Sequence, residues 1–386
     1  LNVYENTSGI DLIIDGHSHT VMTSGEGGEP IQSTGTKFEY IGVIVISPEG
    51  EIDDHYLVST EDLGSDDGIM SLVHDIDDKV EAAYGNVIGY CETQIDGERE
   101  TNRTAETNNG DLTADSMIWF AENNLELSEY ELSHLLVLFG GGGLRAGLPV
   151  GDVTRKNIYE IHPFGNTVCL VKVSGEELLE LMEASTAFVP DLCGGYPQSA
   201  NIVFTVDCTK EYASGDAYPN STYHQPYEIR RVTIESVCGQ PFDPEAEYTI
   251  VTSDFGALGG DTYYLLSTKQ RYDTGILLDD MLEQYITQAL GGVISEERYG
   301  TPRGDHKMIT EAAESDSQPA ELAAESDAPD QDVTVYTVVA GDCLWTIAGE
   351  FYGDGLRWTD IYAANIDIIA DPSLIYPGQG LVVPAA

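Results

Sequence analysis

The apolar positions of the first 84 residues form two short runs and one helical stripe. The runs DLIID (11–15) and EYIGVIVIS (39–47) predict buried strands, and a GHSHT loop follows the first. Residues 69–84 carry apolar side chains at helical spacing, which predicts a connecting helix. Because residues 1–60 are too few for the core of an enzyme domain, we expect the chain to begin inside a domain.

From residue 85 onward, the pattern alternates between strands and helices. Predicted strands cover residues 135–139, 167–173, 232–234 and 248–253, and predicted helices cover residues 111–123 and 277–290. Another helix is expected after Ser174, because Ser174 and Glu177 fit a capping box. The mixture predicts one α+β domain over residues 85–310.

The composition changes sharply after residue 310. Residues 311–333 are rich in Ala, Ser, Pro and acidic residues and contain no basic residue, which predicts an extended linker. Aromatic and aliphatic residues return over 334–386, so we expect a small separate domain there. The predicted organisation is a domain remnant at 1–65, a linking helix at 66–84, a domain at 85–310, an acidic disordered linker at 311–333 and a terminal module at 334–386.

The charge of the chain restricts its partners. With 67 acidic and 17 basic residues, the formal net charge is -50, and we expect no binding to DNA or RNA polymers. No apolar stretch is long enough to span a bilayer, and the first residues lack the basic start and apolar core of a signal peptide.

The six cysteines show no CxxC pair and no zinc spacing, so a cysteine-ligated metal is not expected. Cys169 and Cys343 fit free thiols. A disulfide between Cys193 and Cys208 remains an alternative to free thiols at those two positions.

Two histidines follow the first predicted strand. His17 and His19, two residues apart in a loop, can face one cation, although an exposed polar loop is an equally good interpretation. DLIIDGHSHT with the following GTKFEYIGVIVI resembles the end of the calcineurin-like metallophosphatase domain of 5′-nucleotidases, an αββα sandwich. The resemblance implies that His17 and His19 are ligands in a two-metal site for Mn, Zn or a similar divalent ion. The family's other Asp, His and Asn ligands come from upstream segments that this sequence does not contain, so we expect an incomplete site.

A second set of residues surrounds Arg103. In RTAETNNGDLTADSM, an arginine precedes a helix N-terminus, and both favour anions, although a surface arginine before an ordinary cap is the simpler interpretation. The segment resembles RxxExNxGNLxADA, which opens the C-terminal domain of 5′-nucleotidases, with Asp111 in place of an Asn. The resemblance implies that Arg103 binds substrate.

The glycine run FGGGGLRAG (139–147) places Arg145 beside a flexible backbone. Alone it is compatible with a backbone that approaches a ligand, although a flexible turn is the simpler interpretation. It resembles the family's NGGGIR element, which implies substrate binding by Arg145 and by the position of Gly140. The family has an Asn that reads the nucleobase at that position, so its loss is expected to alter base recognition.

Two further segments, HPFGN (162–166) and SDFGALGGDTYY (253–264), each place a Phe beside glycine, where the ring is either open for stacking or packed in the core. They resemble the family's PFGN and DFLAxGGDGY elements. The resemblance implies that Phe164 and Phe255 stack on a nucleobase and that Asp261 hydrogen-bonds a ribose.

The last 50 residues closely resemble a LysM module, a small βααβ fold that binds glycans containing N-acetylglucosamine. The resemblance implies a glycan groove between two loops, formed by Gly341, Asp342, Cys343, Leu344, Ser373, Leu374, Ile375 and Tyr376. Cys343 stands where the family usually has Thr or Ser.

Together, these resemblances predict a bacterial, extracellular enzyme that hydrolyses nucleoside 5′-monophosphates, and UDP-sugars or cyclic nucleotides as related substrates, in a metal-dependent reaction. LysM is expected to attach it to peptidoglycan, and its export signal is expected to lie outside this sequence. The alternative is an inactive fragment that only binds nucleotide and peptidoglycan.

Overall fold

The computed structural model describes residues 2–310 apart from 26, 62, 125–133 and 220, and residues 334–338, 344–352, 357–365 and 380–384. It divides into two compact units, Leu1–Ala313 and Glu314–Ala386. The predicted linker at 311–333 lies outside the described residues.

Twelve α-helices are defined in the described residues: α1 (Asn2–Glu5), α2 (Asp67–Tyr84), α3 (Arg99–Asn102), α4 (Asn108–Asn124), α5 (Arg155–Ile161), α6 (Gly175–Ser185), α7 (Asp254–Ala257), α8 (Tyr264–Ser267), α9 (Leu278–Gln284), α10 (Glu296–Tyr299), α11 (Leu344–Tyr352) and α12 (Trp358–Ala363). A 3-10 turn covers Gly141–Gly143, and a π-helical turn at Tyr285–Ala289 extends α9.

The strands are β1 (Ile13–Ile14), β2 (Val21–Met22), β3 (Ile31–Thr34), β4 (Tyr40–Ile46), β5 (Ile52–Ser59), β6 (Val87–Cys91), β7 (Leu135–Gly140), β8 (Gly151–Thr154), β9 (Thr167–Ser174), β10 (Pro197–Ala200), β11 (Ile202–Asp207), β12 (Ser214–Ala217), β13 (His224–Pro226), β14 (Val232–Val237), β15 (Gln240–Pro241), β16 (Glu247–Ser253), β17 (Arg271–Leu277), β18 (Val293–Ile294), β19 (His306–Ile309), β20 (Thr334–Thr337) and β21 (Gly380–Val383).

A five-stranded sheet of order β10-β7-β16-β9-β17 organises the larger unit. Side chains of successive strand residues point to opposite faces, so Leu135 and Val137 join one hydrophobic core while Leu136 and Leu138 join another. Because the sheet is buried on both faces, β7 is a continuous apolar run instead of an alternating one.

Helices α4 and α9 cover one face of this sheet, while α6 and the four-stranded sheet β15-β14-β11-β19 cover the other. A three-stranded sheet of order β18-β6-β8 adjoins the first core. The capping box of α6 is confirmed, since Ser174 Oγ accepts from Glu177 N at 3.2 Å and Glu177 Oε2 accepts from Ser174 N at 2.9 Å. The predicted α+β class is confirmed.

The N-terminal segment differs from the prediction of buried strands. Only two residues of DLIID form β1, and Ile14 is 74% exposed. In β4, which pairs with β5 in a two-stranded hairpin, no residue is fully buried. Both predictions of burial were wrong, because β1 and β4 belong to small sheets of three and two strands, which have too few neighbours to bury them. The predicted helix is confirmed as α2, which also contains no buried residue.

The smaller unit has the predicted βααβ order. Strands β20 and β21 pair antiparallel, and α11 and α12 contribute Leu344, Ile347 and Ile361 to its core. Asn365 ties the second helix to the last strand, since its side chain accepts from Val382 N and donates to Val382 O.

Cys193 and Cys208 are free thiols, so the alternative of a disulfide between them was wrong. Among the described residues, no helix combines the length and hydropathy that a bilayer span requires.

Candidate functional site

Four loops meet at one edge of the five-stranded sheet. Strands β7 and β16 run parallel, so their carboxyl ends share this edge, and β9 and β10 run antiparallel to them and begin there. The loops at 140–147, 162–166, 193–196 and 253–262 are therefore neighbours. Three of them contain the site residues predicted from separate motifs.

The glycine run packs against protein backbone. Gly141 N donates to Tyr196 O at 2.8 Å, and Gly142 N donates to Gly194 O at 2.8 Å. A Cβ on Gly141 would lie only 1.7 Å from Asn102 O. At Gly141, the absent side chain therefore makes room for the segment that leads into Arg103.

Arg103 and Arg145 lie close enough to Asp261 to influence its pKa. The pKa of Asp261 is raised by burial, and the neighbouring Arg103, the hydroxyl of Tyr223, Arg145 and His17 act in the opposite direction. Burial and the positive charges of Arg99 and Arg145 lower the pKa of Arg103. Within the described residues, neither Arg103 nor Arg145 forms a salt bridge, so both guanidinium groups keep donors for an anion.

The two predicted aromatic side chains are open to solvent. Phe164 is 55% exposed and Phe255 is 52% exposed, so neither lies in the core. The guanidinium carbon of Arg145 lies 4.8 Å from the Phe164 ring centroid, and a Cβ on Gly260 would lie 2.3 Å from the Phe255 ring. Arg145 thus carries its charge directly beside one exposed ring.

A cavity of about 590 Å³ opens beside these arginines. Its lining includes Arg103, Arg145 and His19, and also two basic residues that the sequence reasoning missed, Arg99 and Lys37. The signal for Arg99 was present, because it lies four residues before Arg103 at the start of α3. Lys37 carried no such signal, since its place in the cavity depends on the loop before β4.

His17 and His19 have left-handed backbones, with φ of 57° and 62°. Both side chains are exposed, and His17 is close enough to Asp261 to influence its pKa. No group of three or more His, Cys, Asp or Glu side chains suited to a metal ion occurs among the described residues. The residues present therefore do not complete a metal centre, and the two histidines remain candidate ligands only.

Gly140 ends β7 at the rim of the site. A Cβ there would lie 3.0 Å from Gly194 O and 3.8 Å from the Tyr263 ring, so the position is closely lined by neighbouring residues. It offers no side-chain amide to a ligand, and its predicted role in base recognition remains a prediction.

A charged cluster surrounds the buried Asp111. Arg303 forms ion pairs with Asp111, at 2.9 Å, and with Asp115, and it donates to Ser199 O. Burial raises the pKa of Asp111 to about 7. Glu106 accepts from Gly304 N at 2.7 Å, so the acidic residues of the Arg103 motif anchor the segment around 303–306.

The site combines three features: two arginines without a salt bridge among the described residues, two exposed aromatic rings and a half-buried carboxylate. This combination suits a ligand that has an anionic group, a flat ring and hydroxyl groups. Residues 87–268 match the family model of the 5′-nucleotidase C-terminal domain, and residues 336–384 match that of the LysM domain. The chain therefore contains a 5′-nucleotidase C-terminal domain and a LysM domain, which confirms the resemblance drawn from the motifs.

The trifunctional nucleotide phosphoesterase protein YfkN of Bacillus subtilis is 27% identical over 68% of this chain and 18% of its own length. Protein UshA of Escherichia coli is 27% identical over 60% of this chain and 36% of its own length. The chain thus spans well under half of either relative.

The solved 5′-nucleotidase precursor of Thermus thermophilus superposes with a TM-score of 0.62 at 22% identity. The match covers 81% of this chain and 62% of that one, and it establishes a shared fold.

For the glycan site, Leu344 is 2% exposed and lies in the core of the LysM domain. The other seven predicted residues, Gly341, Asp342, Cys343, Ser373, Leu374, Ile375 and Tyr376, lie outside the described residues. The glycan groove therefore remains a prediction.

Proposed function

We propose that this chain supplies the nucleotide-binding part of a cell-wall-associated 5′-nucleotidase that hydrolyses nucleoside 5′-monophosphates or related nucleotide phosphoesters. The main support is that Arg103 and Arg145 line one cavity, that both are close enough to Asp261 to lower its pKa, and that Arg145 lies beside the exposed Phe164 ring. In a chain of net charge -50, two arginines that line one cavity would draw an anionic nucleotide to this edge.

In this proposal, Phe164 and Phe255 stack on the base, Asp261 accepts from ribose hydroxyl groups, and the two arginines bind phosphate oxygens. Two stacked rings would each contribute roughly 1 to 3 kcal/mol. His17 and His19 supply two imidazole groups toward a divalent metal centre. Since the described residues provide no complete ligand set, we assign hydrolysis only to a form of the protein that brings the remaining ligands.

Binding is tested by isothermal titration calorimetry with AMP on the chain and on Arg145→Ala. We expect Arg145→Ala to weaken AMP binding about tenfold or more, because a charge-assisted hydrogen bond is lost. The matched control is Arg230→Ala, since Arg230 is paired with Glu228 and does not line the cavity beside Arg145. Equal affinity of the chain and Arg145→Ala for AMP would contradict the assignment of Arg145.

Hydrolysis is tested by phosphate release from AMP with Mn²⁺ or Zn²⁺ added, both for this chain and for a chimera with a 5′-nucleotidase metallophosphatase segment fused upstream. Phosphate release by the chimera but not by this chain supports the proposed hydrolytic function. AMP binding without activity in either protein favours the alternative, a nucleotide-binding protein without catalysis, which the incomplete ligand set of the described residues also favours.

We further propose that the LysM domain holds the protein on peptidoglycan outside a bacterial cell. Sedimentation with purified peptidoglycan tests this. The chain should sediment, and a version ending at residue 310 should remain in solution, whereas equal behaviour would remove the support for wall attachment.

A further inference from the structure

One buried amide of helix α4 bonds the wall of the cavity that Arg103 and Arg145 line. Asn109 is fully buried, and the pattern RxxExNxGNLxADA leaves its position open to any residue. Its Nδ2 donates to Asp96 O at 2.8 Å and to Ala146 O at 2.9 Å. One side chain therefore joins two loops that are far apart in the chain.

The two loops contact each other through their backbones. Ile95 N donates to Leu148 O at 2.8 Å, and Leu148 N donates to Ile95 O at 3.1 Å. A Cβ on Gly97 would lie 2.1 Å from Gly147 N, and a Cβ on Gly147 would lie 2.0 Å from Ile95 O. Because residues of both loops line the cavity, the bonds of Asn109 hold two parts of one cavity wall together.

A second buried amide holds the backbone on both sides of Arg103. Gln198 Nε2 donates to Asn102 O at 2.9 Å and to Ala105 O at 2.7 Å. Gln198 Oε1 accepts from Thr107 N at 3.2 Å, and Thr107 comes directly before α4. These bonds fix the backbone at Arg103 relative to the start of α4.

Arg145 is tied to the same helix through its neighbour in the chain. Arg145 N donates to Ile161 O at 3.1 Å, and the carbonyl of the next residue accepts from Asn109. At the other end of this amide, Asn109 Oδ1 is buried and has no hydrogen-bond partner among the described residues. An unpaired buried acceptor destabilises a fold, which offsets part of the gain from the two donor bonds.

We propose that Asn109 is a positioning residue that holds Arg145 at a set distance from Arg103, so that both guanidinium groups bind one anionic ligand. The inference rests on the proposed function, because it requires Arg145 to contact the bound nucleotide. Asn109 is too deeply buried to touch that ligand, and it acts through the backbone of Ala146.

A double-mutant cycle tests this role by calorimetry with AMP on the full chain, Asn109→Ala, Arg145→Ala and the double variant. Asn109→Ala should weaken AMP binding about fivefold in the full chain and less than about twofold in the Arg145→Ala background, because the amide acts through Arg145. The matched control is Asn201→Ala, which removes an amide that donates to Leu135 O at the opposite end of β7 and should leave AMP affinity unchanged. Equal losses of affinity with and without Arg145 would overturn the inference.

NMR of the ligand-free chain separates this inference from the proposed function. The guanidinium carbon of Arg145 lies 4.8 Å from the Phe164 ring centroid, so the ring current should shift the side-chain signals of Arg145. In Asn109→Ala this shift should be largely lost, whereas the signals of Arg155, which lies 5.7 Å from the Tyr159 ring centroid, should stay in place.

Unchanged Arg145 signals in Asn109→Ala would overturn the positioning role whether or not AMP binds. If the Arg145 signals move but the chain binds no AMP, the proposed function fails and the role of Asn109 in holding Arg145 stands. If Asn109→Ala does not fold, Asn109→Leu, which keeps the approximate volume without the two donors, replaces it. Failure of both variants to fold would overturn the inference, because Asn109 would then be required by the fold itself.

Discussion

Helices α2 and α4 have nearly the same length but very different surroundings. The 18 residues of α2 include none that is buried, and Ile69, Leu72 and Ile76 are each at least half exposed. Of the 17 residues of α4, eleven are buried, including Asn108 and Asp111. A clear apolar stripe therefore predicts a helix, but the packing partners decide whether that stripe contributes to the stability of the fold.

The largest expected difference comes from one truncation in each helix. Leu112→Ala in α4 removes a fully buried side chain and should lower the free energy of unfolding by about 2 to 5 kcal/mol. Leu72→Ala in α2, where the side chain is 56% exposed, should change it by less than about 0.5 kcal/mol. Urea unfolding followed by circular dichroism measures both. An equal loss of unfolding free energy in the two variants would mean that Leu72 of α2 is buried in solution.

A pair of glycine variants sharpens the same comparison. Gly141→Ala should lower the free energy of unfolding by about 3 kcal/mol, because its Cβ would collide with Asn102 O. Gly64→Ala, just before α2, has no atom within 4 Å of the added carbon and should be neutral. Thermal unfolding of the two variants checks this, and a neutral Gly141→Ala would show that the glycine loop adjusts without strain.

Acid should lower the stability of the folded chain through His306. Burial lowers the pKa of His306 to about 3, so the unfolded chain binds its proton near pH 6.5 while the folded chain does not. The stabilisation is complete above pH 6.5 and declines toward pH 3, by about 2 kcal/mol between pH 6.5 and 5. His306→Gln should unfold with a correspondingly smaller pH dependence than the parent chain. An unchanged pH dependence in His306→Gln would contradict this.

The smallest effect is expected at Asp111. The pKa of Asp111 is about 7 in the folded chain and 3.8 ordinarily. The stability that protonated Asp111 contributes is therefore lost as pH rises from about 4 to 7. Asp111→Asn should therefore gain stability relative to the parent over that interval and level off above it. We expect about 1 kcal/mol, because losing the ion pair with Arg303 offsets part of the gain. Melting temperatures of both proteins at pH 5 and 8 test this. If Asp111→Asn stabilised the protein more at pH 5 than at pH 8, the predicted pH dependence would be wrong.

Local patterns predicted the elements that depend on neighbouring residues in the chain. The capping box at Ser174, the helices predicted at 69–84 and 111–123, the strand predicted at 135–139 and the βααβ module all follow from spacing and caps within short segments. The motif resemblances also pointed to Arg103, Arg145 and Asp261, although nothing in the spacing indicated that they would lie together.

By itself, the sequence determined the α+β class, the LysM module and the chemical types of the candidate site, because those depend on periodicity and on motifs that lie within a few residues. Only the tertiary structure decided that β1 and β4 are exposed, that Gly141 faces Asn102 O, and that Lys37 and Arg99 line the cavity. These features depend on contacts between residues far apart in the chain, where the pairing of strands at one sheet edge, and not the local pattern, sets which side chains meet.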